Sequence, residues 1–199
     1  MIALMGTGAI DIGNFEQSVA VGDFSVGKGS MAAVVDIVID AQGKPVQCVK
    51  VQVVGNDGLA KETCPLLMRK HYTPAHRANG EAAWFVAREM EYAFEPGTPE
   101  GDRVMRSRPA PQLDLQVNRL PEGKASMSGS LLLDIDETGK ARDCAVRSAQ
   151  AGFPTSLCNR LDLLAQPVQL DRAGQPVAYI TKLRVRLTAG PTAGSTPAN

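Results

Sequence analysis

The sequence predicts an α+β fold built as two tandem small modules, each an antiparallel three-stranded sheet with a helix on one face. Three observations carry this. The first half of the 199-residue chain can be laid over the second: Gly27-Lys28-Gly29-Ser30-Met31 falls on Gly123-Lys124-Ala125-Ser126-Met127, Ile39-Asp40 on Ile135-Asp136, Gly43-Lys44 on Gly139-Lys140, and Cys48 on Cys144. With a small shift, Cys64 meets Cys158, Pro74 meets Pro167 and Gly80 meets Gly174. Each half also opens on an apolar run closed by a turn carrying Asp and Gly, and each half holds two cysteines.

The elements follow in order. Val34 to Asp40 is a β-branched run, Asp40-Ala41-Gln42-Gly43 a tight turn, and Pro45 to Val54 a returning strand, so the pair reads as a hairpin. Gly55-Asn56-Asp57-Gly58 breaks it. Leu59 to Tyr72 has a helical composition and stops before Pro74. Glu81 to Phe94 is ambiguous alone, because Ala82, Ala83, Ala87, Arg88, Glu89 and Met90 favour helix. Its counterpart, Pro176 to Leu187, resolves it: Val177, Tyr179, Thr181, Leu183, Val185 and Leu187 alternate with mostly polar neighbours, the period of a strand. In the second half, Thr155 or Ser156 can cap a short helix bearing Leu157, Leu161 and Leu164 on one face. Residues 15–26 and 112–118 also read as extended, and would make each sheet four-stranded. The second strand of the first half sets Val49, Val51 and Val53 out of phase with Cys48, whereas Val146 is in phase with Cys144; a bulge reconciles the two.

The expected organisation is therefore a first module over residues 1–94, a Pro/Gly-rich linker over 95–111, a second module over 112–188, and a disordered tail over 189–199. Four cysteines allow three pairings. The repeat favours Cys48–Cys64 and Cys144–Cys158, since that pair recurs inside each half; the alternative is four buried thiols in a reduced protein. Paired cysteines imply an oxidising compartment.

Composition narrows the function. Twenty-one basic residues balance 21 acidic ones, which argues against a nucleic-acid binder or an electrostatic membrane-surface protein. No apolar run approaches a membrane span, and Met1 to Met5 is too short for a signal peptide, so an export signal is not visible in the chain. The cysteine spacings contain no C-x-x-C pair, and His71 and His76 straddle Pro74, so neither a metal nor another cofactor is expected. Gly22 to Gly29 imitates a phosphate-binding loop but puts Gly29 where a Ser or Thr must hold magnesium. Asp134 and Asp136 share one strand face, yet Asp136, like Asp40, sits where a hairpin turn wants Asp. No constellation makes a catalytic site, and the chain reads as a non-enzyme.

Ile39-Asp40, Gly43, Val46, Cys48, Leu59, Cys64-Pro65-Leu66-Leu67, Tyr72, Pro74-Ala75 and Gly80 form a pattern. The second half keeps Ile135-Asp136, Gly139, Cys144, Val146, Leu157, Cys158, Pro167 and Gly174. The pattern resembles the C-terminal domain of TonB, in two cysteine-bearing copies. That resemblance implies a periplasmic binding module in envelope transport, which recognises an extended peptide such as the TonB box of an outer-membrane transporter by adding it to a sheet edge. It directs attention to Glu81–Phe94 and Val177–Leu187, and to Trp84, Val86, Arg88, Val177, Tyr179, Thr181 and Leu183 as partner-binding residues. Lacking an N-terminal anchor and a long proline-rich spacer, the chain is expected to bind rather than to couple two membranes by itself. The competing expectation is a scaffold, in which the module edges pair with each other or in a homodimer. A third is an accessory region of an enzyme or sensor.

Overall fold

The computed structural model describes residues 10–11, 29–147 and 152–190. The first hairpin joins β1 (Met31–Ile39) to β2 (Pro45–Gly55). Its turn is held by the Asp40 carboxylate, which accepts from the amides of Gln42 at 3.0 Å and Lys44 at 2.9 Å. Gly43 takes a φ of 79°, a conformation that side chains resist. A bulge along β2 brings Val53 into phase with Cys48, while Val49 and Val51 stay exposed. Val35 lies opposite Lys50 and Val34 opposite Gln52, so Val51 is the extra residue. Cys48 can then face the core opposite Ile37 while Val53 packs near Ala33.

The helix expected over Leu59 to Tyr72 is instead two turns, α1 (Asp57–Ala60) and α2 (Thr63–Leu67). Asn56 caps the first by accepting from the Leu59 amide at 3.2 Å. Pro65 has no N–H to give to the carbonyl of Lys61 and its ring would crowd that carbonyl, so a continuous helix is excluded there. The chain then runs through β3 (Ala75–His76) into β4 (Ala82–Ala93), the expected strand. The 95–111 connection carries a helix, α3 (Pro99–Arg106), capped by Thr98, whose hydroxyl oxygen accepts from the Gly101 amide at 3.0 Å.

Of the two further extended segments, 112–118 contains β5 (Leu113–Val117), while 15–26 lies outside the described residues. The glycine-rich Gly22–Lys28 stretch and residues 191–199 of the tail also lie outside them. The second hairpin joins β6 (Ser126–Ile135) to β7 (Ala141–Arg147) across a turn held by Asp136, which accepts from the amides of Thr138 and Lys140 at 2.8 and 3.0 Å. The helix expected after it is two 3-10 turns, Thr155–Asn159 and Leu161–Leu163, with no side-chain cap from Thr155 or Ser156. A ten-residue stretch is too short to hold an α-helix on propensity alone. A small ribbon of β8 (Gln169–Leu170) and β9 (Pro176–Val177) leads into β10 (Tyr179–Ala189).

The larger correction concerns the two modules. They are not separate sheets: one mixed eight-stranded sheet runs β2-β1-β4-β10-β6-β7, with β3 added beside β4 and β5 beside β10. The joint is a parallel pairing of β4 and β10, with Trp84, Phe85, Val86 and Ala87 opposite Tyr179, Ile180, Thr181 and Lys182. The physical reason is that two open apolar strand edges leave rows of unpaired N–H and C=O groups, and pairing them with each other satisfies both.

Register partners share a face of the sheet. Trp84 and Val86 therefore point to the same side as Tyr179 and Thr181, and Phe85 and Ala87 to the same side as Ile180. The consequence is two cores on opposite faces. One gathers Val35, Ile37, Ile39, Leu67, Tyr72 and Phe85; the other gathers Leu131, Leu133, Ile135, Tyr179, Leu183 and Val185. They interlock at the joint, because Leu132 and Ile180 join the first while Trp84 and Val86 pack on the second. Cys48 is bonded to Cys64 against the first core, and Cys144 to Cys158 against the second.

Candidate functional site

The residues expected to bind a partner, Val177 excepted, lie at or beside this seam, but not as an open edge. Trp84 and Val86 are half-buried; Tyr179, Thr181 and Leu183 are 1%, 5% and 4% exposed. The Thr181 hydroxyl donates to the Val86 carbonyl at 2.9 Å, and the Tyr179 hydroxyl to the Pro167 carbonyl at 2.6 Å. Burial pushes the Tyr179 phenol up to about 12. Arg88 is taken by Asp36, with Nε and Nη2 each 2.7 Å from a carboxylate oxygen, and this pairing holds its guanidinium more firmly charged. Val177 stands apart in β9, opposite Gln169. Over residues 84–87 and 179–182 the two backbones are occupied by each other.

Ion pairs lock the joint. Asp134 receives Arg77 from the first half at 3.3 Å and Arg142 from β7 at 3.1 Å. It is therefore a structural counter-charge rather than half of an acid–base pair with Asp136. Glu89 receives Lys182 at 3.3 Å and Arg184 at 3.8 Å. Glu91, two residues on, is 4% exposed; burial raises its carboxyl to about 7, partly offset by Lys70. Burial and the nearby Glu91 also raise the Tyr72 phenol.

Past Lys182 the strands part. Val185 is paired with Leu113, so β5 takes the place beside β10 that β4 has just left. Residues Arg108 to Gln112 fill the wedge; the Gln112 amide donates to the Arg184 carbonyl at 2.9 Å, and the Gln112 side-chain oxygen accepts from the Arg184 amide at 3.2 Å. Beside this wedge lies an open groove of about 480 Å³. Ser128, Ser130, Arg147, Arg184 and Arg186 line it, with Arg108, Pro109 and Pro111 also bordering it. The groove was not foreseen. Its signal was the polar stripe Lys182, Arg184, Arg186 alternating with the apolar face of β10, which reads by itself as an ordinary solvated surface.

A second groove, of about 550 Å³ and like the first mainly apolar in surface, runs past Val117, Leu120, Pro121, Leu157 and Leu187. Among the described residues there is no group of His, Cys, Asp and Glu able to hold a metal ion, and no helix long and apolar enough to cross a membrane. No protein-family model, curated protein or solved structure matches the chain.

Proposed function

We propose that the protein is a non-catalytic binding scaffold of an oxidising, extracytoplasmic compartment, in which the two halves close each other's sheet edges. The observation that supports it is the parallel pairing of Trp84–Ala87 with Tyr179–Lys182. A module that recruits a peptide through these edges would have to leave their backbone groups unpaired. The two disulfides favour an oxidising compartment such as the periplasm. Native-state hydrogen exchange of the isolated, oxidised protein tests the reading. Amides of 84–87 and 179–182 that take part in the pairing should exchange only with global unfolding. Rapid exchange there, with protection gained when a partner binds, would return these edges to peptide recognition.

A second reading keeps strand addition, of the kind the resemblance to TonB implies, and moves it to the rim. It is favoured by β7, which among the described residues has β6 alone as its sheet neighbour, and by β2, whose Val49 and Val51 are each 47% exposed. The bulge and Lys50 on β2 discourage a second strand there, which leaves Ala141–Arg147 as the better edge. A pull-down from solubilised envelope, compared with a Val146→Pro variant shown to fold, whose lost N–H faces the rim rather than β6, separates the readings. Loss of enriched transporters in the variant supports rim addition; unchanged recovery favours the scaffold.

A further inference from the structure

We infer that the groove over Arg147, Ser130 and Arg184 is a binding site for a small multivalent oxyanion, a carboxylate or a phosphate. Three strands build its floor in register. Arg184 on β10 lies opposite Ser130 on β6, and Ser130 lies opposite Arg147 on β7. Register partners across adjacent strands project from the same face, so two guanidinium groups flank one hydroxyl in a single row. The next row repeats the chemistry with Arg186 opposite Ser128.

Among the described residues the charges around this row are only partly balanced. Arg186 is neutralised by Asp114. Arg184 reaches Glu89 through Nη1 at 3.8 Å, while its Nε and Nη2 are buried without a hydrogen-bond partner among the described residues. Arg147 is exposed and has no ion pair among the described residues, and Arg108 at the rim gives its Nη1 to two backbone carbonyls rather than to an acid. Like charges set along one face of a sheet repel, and buried donors left unpaired carry a desolvation cost. An oxyanion seated over Ser130 relieves both: it lies between the two guanidinium forks and draws Arg184 away from its long contact with Glu89.

The excess is local, because the whole chain is neutral. That favours, over an extended polyanion, a ligand of the groove's own size, within the ordinary range for small-molecule sites. Pro109 and Pro111 make the facing wall, which presents no N–H at those positions and a fixed backbone. This inference is independent of which edge recruits a partner.

The test is an amide NMR titration of the oxidised protein with inorganic phosphate and, separately, with citrate, against sodium chloride at matched ionic strength. Saturable shifts confined to Ser128–Ser130, Arg147 and Arg184–Arg186 are expected; saturation by phosphate alone, citrate alone or both assigns the source of the oxyanion. Arg147→Gln should weaken binding about tenfold, the loss of one charge-assisted contact, with an unchanged melting temperature. Arg108→Gln supplies a second variant outside the sheet, and should weaken binding by a smaller factor. Shifts that stay linear and equal those in chloride overturn the inference, as does wild-type affinity in both variants.

Discussion

Arg77 and Asp134 are 57 residues apart in sequence and meet across the seam with Nε 3.3 Å from the carboxylate. Their side chains are only 13% and 10% exposed, so the pair is a desolvated bond between the halves rather than a surface contact. Removing one partner of such a pair strands the other. Asp134→Ala should destabilise the protein by about 3 kcal/mol, measured by urea unfolding. A cost near zero would mean that the halves do not depend on this contact.

The hairpin turn makes a second, sharper prediction. The Tyr72 amide donates to the Gly43 carbonyl at 2.9 Å, and a Cβ on Gly43 would fall on the Tyr72 carbonyl oxygen. Gly43→Ala therefore combines left-handed strain with a backbone collision and should cost about 3 kcal/mol or more. Gly80 has a similar φ of 83° but nothing within 4 Å of an added Cβ, so Gly80→Ala should cost about 1 kcal/mol. Equal losses would show that conformation alone, and not the approach of Tyr72, decides the cost.

Each disulfide closes a short loop, with sequence separations of 16 and 14 residues. Loop-closure entropy assigns each about 3 kcal/mol. Double replacement of Cys48 and Cys64 by Ala, or of Cys144 and Cys158, should lower unfolding stability by about that amount. Mass spectrometry of native protein should find no free thiol. Recovery of four free thiols would remove the argument for an oxidising compartment.

Glu91 sets the pH dependence. Burial raises its carboxyl from about 4.5 to about 7, so the folded chain holds this proton more tightly than the unfolded one. Its contribution is thus fully present below pH 4.5, is lost as pH rises through 7, and is flat beyond. The span is on the order of 3 kcal/mol. Glu91→Gln should abolish this loss and be more stable than the parent at pH 8 in urea titrations. A parent curve that does not fall between pH 5 and 8, or one equally steep in the variant, would contradict the assignment.

The local structure was largely legible and the assembly was not. Asp40 with Gly43, and Asp136 with Gly139, announced their turns because those residue types satisfy a specific backbone need. The cysteine pairing followed from its recurrence, and the conflict between Cys48 and Val53 foretold the bulge at Val51. Alternation along Tyr179 to Leu187 shows which face is buried, but carries no information on which edge is paired, so the seam with Trp84 to Ala87 was invisible. The helices were overestimated where Pro65 and shortness outweighed composition. The basic groove was hidden because Arg147, Ser130 and Arg184 become neighbours only once three strands are in register.

The seam also orders events in time. Thr181 donates to a carbonyl 95 residues earlier, so the edge of β4 finds its cover only after the second hairpin exists and β10 has been made. During that interval the first half is a strand edge in search of any mate, and loop closure over so long a separation is slow. A β10 supplied by another copy would fit as well as its own, which makes exchange of that strand between molecules the characteristic misassembly of this chain at high concentration.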